Sequence, residues 1–489
     1  MIVWLLALVL AGAADGAASP QSGPSKPTAS AKKEKPAKAP KDPNAPAKAK
    51  KPKTDKTPTT TVASPDEPLD EDTNGEQPVV PARPARFVWK QHPSIRFGKA
   101  LRLDFEAKFQ EDGHSSYPGS DVTAKLDSWE LHRNRIGVQG TAFKHIDFEI
   151  ERELTERELT EKDIAEGITA QSPWKDVKVN VDYFKDAQIQ AGKFKIPFGL
   201  DQLIGVTQND FVYRSLGANY LAPARDIGAM VHGRFFKRGL NYWAGMFRHD
   251  GDNARSKKIQ GGDRTFAARV TGAPLRQVSA GFFEGLALGG AVAITHVTDD
   301  SFRPNGLRGR TVLTQDTILA PVYVKGARWR WEGDAEWMKG PGSVRAEYTH
   351  VLDERLRQGF GDEDLPKARY RSWYVSGSWL LTGETKRRPV KPAHDLFDGG
   401  FGAVEAVARI ERIWFDSVDR SEDPFANPRA FTILPTGEKA FTIGLNWSLN
   451  RFAKLQINAI REQPEDPGRN PVPNGAAFWS RVFRLQLVL

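Results

Sequence analysis

Residues 101–109 read Leu101-Arg102-Leu103-Asp104-Phe105-Glu106-Ala107-Lys108-Phe109, apolar and polar side chains in strict alternation. A β-strand sends successive side chains to opposite faces. Leu101, Leu103, Phe105, Ala107 and Phe109 therefore share one side and the four charged residues the other. A soluble sandwich strand facing bulk water has the same pattern, so recurrence decides the matter. In residues 145–151, Ile146, Phe148 and Ile150 alternate with Asp147, Glu149 and Glu151. Residues 177–183 set Val177, Val179, Val181 and Tyr183 against Lys178, Asn180 and Asp182. Residues 441–450 and 483–489 repeat the theme, the latter with Phe483, Leu485, Leu487 and Leu489 opposite Arg484, Gln486 and Val488. Turn-rich stretches such as 299–306 and 463–468 separate the strands, and Trp and Tyr gather near strand ends. Only residues 151–167, rich in Glu, Leu, Thr and Arg, suggest a short helix or charged loop. Strands in series, apolar outward and polar inward, predict an all-β fold: a transmembrane antiparallel β-barrel with lipid outside and water inside. Residues 87–489, at about 25 residues per strand and loop, give about 16 strands, wide enough for an aqueous channel.

Bulk composition is compatible with this. Mean hydropathy is −0.51 and charged residues make up 27%, values that alone suggest a soluble chain. A barrel escapes that inference because only alternate strand residues need be apolar. The absence of cysteine excludes disulfides, thiolate chemistry and Cys-ligated zinc. Residues 1–10 are nearly all apolar, too few to span a bilayer, and small residues follow them. Residues 1–18 read as a secretory signal, although no Lys or Arg precedes the apolar run. No later run approaches the ~18 apolar residues of a membrane-spanning helix. Export without a helical anchor leaves periplasm, outer membrane or secretion.

Residues 19–86 are dominated by Pro, Ala, Lys, Thr and Ser and cannot bury a core, so the expectation is a disordered arm. Eleven lysines fall within residues 26–56 and six acids within 66–76. The arm reads as a Pro-stiffened spacer. A sharper reading makes it a periplasmic arm whose lysines hold an anionic wall polymer such as peptidoglycan. The whole chain carries +9, of which residues 87–489 hold +6, so the folded part is basic in its own right and favours anionic partners.

More specific signals begin at Gly192-Lys193-Phe194-Lys195-Ile196-Pro197-Phe198-Gly199-Leu200. Further along stand Pro223-Ala224-Arg225-Asp226-Ile227-Gly228, the stretch from Trp373 through Leu381-Thr382-Gly383-Glu384, Gly400-Phe401-Gly402-Ala403-Val404-Glu405, and the strand from Leu445 to Ala459. In this order they resemble the phosphate-selective porin O and P family over about residues 94–489. The resemblance implies a sixteen-stranded outer-membrane barrel embedded in lipid, a homotrimer, with a loop folded into the pore and a constriction of Arg and Lys that passes small anions. Here that loop runs from Leu200 to about Pro223. Arg214 matches the family's loop arginine, and Arg133 falls where the family has an arginine pair. Gln202 stands where a loop lysine is expected, and Lys195 and Arg135 where phosphate-selective relatives carry tyrosines. The pore implied is basic rather than tuned to phosphate. Leu489 replaces the terminal aromatic residue usual for barrel assembly.

The candidate pore-lining residues are Arg133, Arg135, Lys193, Lys195, Arg214 and Arg225. Lys193 and Lys195 share one face of their strand, with Phe194 and Ile196 on the other, and Arg133 and Arg135 share a face as well. Charges on a lipid face cost about 2–4 kcal/mol near the midplane, so these must face the lumen or lie near a strand end. A ring of cations in a narrow site concentrates anions. Lumen charges can equally keep the wall wet and pair with Asp104, Glu149 and Glu151. Arg102 belongs to such a balanced wall, so the anion reading rests on Arg133, Lys195 and Arg214. No His-x-x-x-His or Gly-x-Ser-x-Gly motif points to an enzyme. Residues 249–253, His-Asp-Gly-Asp-Asn, lack the spaced ligands of a calcium loop and read as a solvated loop tip. Gly399-Gly400-Phe401-Gly402 reads as a turn entering a strand rather than a dinucleotide loop. No cofactor, metal or nucleic-acid partner is expected. Two functional classes follow: a passive porin, or a tether that fixes the arm between outer membrane and cell wall.

Overall fold

The computed structural model describes residues 86–489 apart from 90–91, 118–127, 156–162, 165–171, 237–238, 254–263, 276–280, 299–303, 419–428 and 471–474. The expected signal, nearly all of the arm and most of the 151–167 stretch lie outside the described residues. Strands β1 (Arg86–Trp89) and β2 (Pro93–Phe97) precede the first long strand, β3 (Leu101–Tyr117). There follow β4 (Ser128–Ala142), β5 (Ile146–Glu153), β6 (Trp174–Phe184), β7 (Ala187–Lys195), β8 (Arg225–Phe235), β9 (Leu240–Phe247), β10 (Thr265–Gly272) and β11 (Leu286–Val297). A small hairpin of β12 (Gly309–Arg310) and β13 (Thr317–Leu319) stands apart in its own sheet. The main sheet resumes with β14 (Gly326–Lys339), β15 (Gly342–Arg355), β16 (Leu365–Leu380), β17 (Ala403–Ser417), β18 (Thr436–Ser448), β19 (Ala453–Pro464) and β20 (Phe478–Val488).

Each long strand pairs antiparallel with the next, and β20 pairs with β3, so sixteen strands close into a barrel. Closure matters because a membrane offers no water to an open sheet edge. The seam is shared: β20 covers Lys108 to Tyr117 of β3, while β2 covers Leu101 to Asp104. Leu489 continues the seam, its N–H donating to the Ala107 carbonyl at 2.9 Å. Connections at this end are as short as two residues (185–186 and 340–341), whereas those opposite include 196–224 and 298–325. Short periplasmic turns and longer external loops are the rule for such barrels. The N-terminal hairpin joins the barrel at the end that carries the short turns.

The alternation holds. On β15, Val344 and Tyr348 are exposed outward, while Ser343, Arg345, Glu347, Thr349 and Asp353 are buried inward. Indoles stand at the short-turn end, where Trp337 Nε1 donates to the Phe282 carbonyl and Trp447 Nε1 to the Phe401 carbonyl, both at 2.7 Å. Such rings sit where one side is greasy and the other wet.

The lumen differs from the expectation of water throughout, because two external connections fold into it. Residues 196–224 carry the short helices α1 (Leu200–Leu203) and α2 (Leu216–Tyr220). Gly199, with φ of 79°, turns the chain off β7 into this loop, a conformation that costs glycine little. Glu347 of β15 accepts from the Asp201 N–H (3.0 Å), Glu411 of β17 from that of Leu216 (2.6 Å), and Asn458 of β19 from that of Val212 (2.8 Å). Gln486 of β20 donates to the Thr207 carbonyl at 3.0 Å. The loop thus crosses the barrel. Residues 304–325 pack beside it: Leu307, Val312, Ile318, Leu319, Val322 and Val324 form one apolar core with Val212, Leu216 and Leu221 of the loop and Val351, Tyr370, Ile413 and Phe415 of the wall. Of the turn-rich stretch at 299–306, residues 299–303 lie outside the described residues, and 304–306 open the inward plug segment.

Candidate pore constriction

Along the β3–β8 wall, inward charges stand in matched pairs. Arg102 meets Asp104 at 2.9 Å, and Lys178 meets Glu149 at 2.9 Å. Lys108 bridges Glu106 at 3.0 Å and also reaches Glu151. These are the balanced wall contacts that alternation alone allows, and they give no net sign to the pore.

Arg133 and Arg135 rise from β4 on either side of Asn134. A register slip lies just beyond them, where Gln110 pairs Arg133 and Glu111 pairs Leu131, leaving His132 bulged. Arg135 is held by Glu151 at 2.9 Å and Glu153 at 2.6 Å. Arg133 donates to the Gln110 side chain, with Glu153 farther off at 3.8 Å. Arg225 donates from Nη2 and Nε to one Asp176 oxygen, Oδ2, at 2.6 and 3.0 Å.

Phe194 of β7 and Ile196 just beyond it, not Lys193 and Lys195, point inward. They form a second interior core with Phe198, Met230, Phe247, Ala267, Ala291 and Ala293. Lys193 lies across from exposed Val177 and Ile227. Its Nζ turns to the Trp174 carbonyl at 2.8 Å. It also lies 3.6 Å from Asp252, whose other oxygen accepts from the Arg225 N–H. Lys195 faces Arg225 in the last pair of the β7–β8 ladder, where the chain bends inward. The strand-end alternative accounts for both lysines.

From that bend Lys195 Nζ donates to three carbonyls at the end of α1: Gln202 at 2.7 Å, Leu203 at 3.0 Å and Ile204 at 3.0 Å. The orphan carbonyls of a helix terminus are natural partners for a cation. Arg214 Nη2 donates to the same Ile204 carbonyl at 2.7 Å. Two cations thus share one acceptor, which puts their nitrogens within about 6 Å of each other. The other terminal nitrogen of Arg214 is buried without a hydrogen-bond partner among the described residues. Burial, opposed by the nearby Asp201 carboxylate and reinforced by the charges of Arg225 and Arg135, pushes the Arg214 guanidinium down to about 10. It remains charged at neutral pH.

Arg133, Arg135, Lys195, Arg214 and Arg225 are consequently one electrostatic group drawn from β4, β7, the inward loop and β8. Gln202 contributes its backbone carbonyl to Lys195 rather than an added cation.

Other interior charges were not singled out from the sequence. Asp250 is fully buried and receives Arg328 (2.6 Å) and Arg330 (2.8 Å). The 249–253 stretch is therefore not a solvated tip. Its backbone bonds back to Asp226, and at Gly251 (φ 79°) a Cβ would meet the Pro223 carbonyl at 1.8 Å. Asp210, on the inward loop, is held by Arg345 and Lys386. Nothing local in the sequence signals these partners, because strand register far away supplies them. Among the described residues, Asp112, Glu130 and His132 also lie close enough to hold an ion. Arg484 already grips both Asp112 oxygens at 2.6 Å.

Residues 105–488 match the profile of the family described as phosphate-selective porin O and P. The chain belongs to this family. It is an outer-membrane porin, a channel protein. Curated protein sequences provide no match. Solved structures similar to the porin include OmpT of Vibrio cholerae, with 10% identity and a TM-score of 0.49, covering 83% of this chain and 100% of that one. Another is an anion-selective porin from Comamonas acidovorans (11%, 0.46, 80% of this chain and 100% of that). OprB of Pseudomonas putida is similar at 10% identity and 0.48, over 79% of this chain and 94% of that one.

Proposed function

We propose that this porin passes small solutes by passive diffusion with a preference for anions, and that Arg133, Lys195 and Arg214 set the preference. One observation carries the reading: Lys195 and Arg214 are held against the same carbonyl of Ile204, and a buried Arg214 nitrogen has no hydrogen-bond partner among the described residues. Two like charges so placed repel by roughly 3 kcal/mol at an effective dielectric of 20, and a visiting anion relieves that repulsion. Arg135 and Arg225 carry carboxylate partners and add less net charge. Phosphate is one anion among those favoured, without a dedicated site, since Gln202 replaces the loop lysine.

The porin acts as a homotrimer in this reading, as the family resemblance implies. Its Lys/Pro-rich arm enters the periplasm, because Arg86 joins the barrel at the end that carries the short turns. The tether reading rests on residues outside those described. The deciding experiment is the zero-current potential of the full protein in a planar bilayer under a KCl gradient. An anion-selective sign is expected; a cation-selective one overturns the proposal.

A further inference from the structure

The long-loop end of the β3–β4 ladder gathers imidazole and carboxylate side chains just beyond Arg133. Asp112 pairs Glu130 and His114 pairs Ser128, so the members of each pair share the lumen side of the wall. His132 is the extra residue of the bulge opposite Gln110 and Glu111. The bulge lets two adjacent residues, His132 and Arg133, both reach the lumen, where strict alternation would admit one. Bulges re-aim side chains in this way and recur beside functional sites. No linear spacing reveals the cluster, because its members come from two strands.

The spacing of the donor atoms is informative. His132 Nδ1 lies 3.3 Å from Glu130 Oε1 and 3.6 Å from Asp112 Oδ2. All three atoms fall within 4.8 Å of one another. A charge-assisted hydrogen bond settles at about 2.7–2.9 Å. Donors around a four-coordinate zinc ion, with bonds of about 2.0–2.1 Å, stand about 3.3–3.4 Å apart. The cluster follows the wider spacing. Its surroundings are those of a ligand set as well. Arg484 donates to both Asp112 oxygens at 2.6 Å, and a carboxylate offers about four lone-pair sites, so Oδ2 keeps one for an ion. His114 Nε2 stands 3.5 Å from the same Glu130 oxygen. That ring is fixed by Ser128 Oγ, 3.2 Å from its Nδ1, and by the Tyr213 hydroxyl of the inward loop, 3.1 Å from its Nε2. Outer partners of this kind orient metal-binding side chains. Asp112 is fully buried whereas the Glu130 side chain is half exposed, which gives an ion a route in from water.

We propose that Asp112, Glu130 and His132 form a site for a divalent transition metal of the zinc class at the long-loop mouth of the pore. His114 is a positioning residue for Glu130, and the fourth coordination position goes to water or a passing anion. An imidazole with two carboxylates suits zinc better than calcium or magnesium, which take oxygen ligands. The site does not depend on which ions the pore prefers. The test is calorimetric titration of the untagged full-length protein in detergent with Zn2+, with Ca2+ as comparator. A single Zn2+ binds per chain, more tightly than Ca2+. His132→Ala and Glu130→Gln each weaken Zn2+ binding by roughly a hundredfold, the upper end of what loss of an outer partner alone costs. Co2+ in place of Zn2+ shows the intense visible absorption of a four-coordinate ion. Gel mobility of folded against unfolded barrel checks each variant, and Glu130→Gln, at a half-exposed side chain, carries the test if His132→Ala does not fold. Zn2+ affinity unchanged in the folded variants overturns the proposal. So does Ca2+ binding more tightly than Zn2+, or the weak spectrum of a hydrated six-coordinate Co2+.

Discussion

Replacing Arg214 by glutamine removes one charge while keeping an N–H that can reach the Ile204 carbonyl. The structure allows the effect to be scaled. An ion passing about 5 Å from the guanidinium in water-like surroundings feels about 0.8 kcal/mol from a unit charge. Salt near 0.1 M, with its ~10 Å screening length, reduces this to about 0.5 kcal/mol. Neutralisation costs an anion that much and relieves a cation by the same amount, so their permeability ratio changes by about 1 kcal/mol. That is roughly a fivefold fall in anion-over-cation preference. Reversal potentials in a KCl gradient measure it directly, with Arg214→Lys as the charge-retaining control. The outcome is diagnostic because, among the described residues, no carboxylate is hydrogen-bonded to Arg214, Asp201 standing near without a bond, unlike Arg225 on Asp176. A glutamine variant within twofold of the unsubstituted protein would refute the reasoning. So would a lysine variant that falls as far as the glutamine one, since distortion rather than charge would then be responsible.

Three further outcomes follow from the interior. Asp250→Asn leaves Arg330 buried without a carboxylate and Arg328 with Asp353 alone, a loss of about 3–5 kcal/mol; the denaturant midpoint, read by gel mobility of folded against unfolded barrel, should drop clearly. Excising residues 307–322 removes much of the inward apolar segment and should raise single-channel conductance; an unchanged conductance would show that the segment does not limit the current. Burial alone would raise the Asp210 carboxyl, but Lys386 and Arg345 beside it override that and hold it well below the ordinary carboxylate range. A depressed folded value means stabilisation that is present above the unfolded value near 4 and lost as pH falls through the folded one. Asp210 should therefore stay ionised and paired from pH 7 down to about 4, and a side-chain carboxyl resonance of Asp210 that titrates within that interval would contradict the pairing.

The strands were legible because the membrane enforces a period of two on every one of them, and residues 101–109 carry it without interruption. The inward loop was legible only through the family resemblance carried by Gly192 to Leu200, and four of the six candidate cations share its neighbourhood with the fifth, Arg133. What escaped was everything decided by contacts across the lumen. Phe194 and Ile196 look like lipid-facing residues on a β7 considered alone, because an apolar side chain covered by a loop and one covered by lipid have the same spacing. Residues 304–325 bury their apolar side chains without any period, so turn signals dominate them. Asp250 resembles a loop-tip acid until β14 places Arg328 and Arg330 beside it.

The filled lumen also explains why so polar a chain can carry two interior apolar cores. A barrel of this width must spend its inward positions on something other than side-chain packing across the axis. The inward loop answers with one face greasy and one face charged. Val212, Leu216 and Leu221 join the plug segment and the wall of β15–β17, whereas Arg214, two residues from Val212 and Leu216, turns to the end of α1 and to Lys195. The apolar side anchors the loop, and the anchoring is what permits the other side to hold two cations against one carbonyl. Substitutions in the apolar half, such as Leu216→Ala, should thus change selectivity as well as stability, since the position of Arg214 depends on them; a variant that loses stability but keeps the full anion preference would separate the two roles.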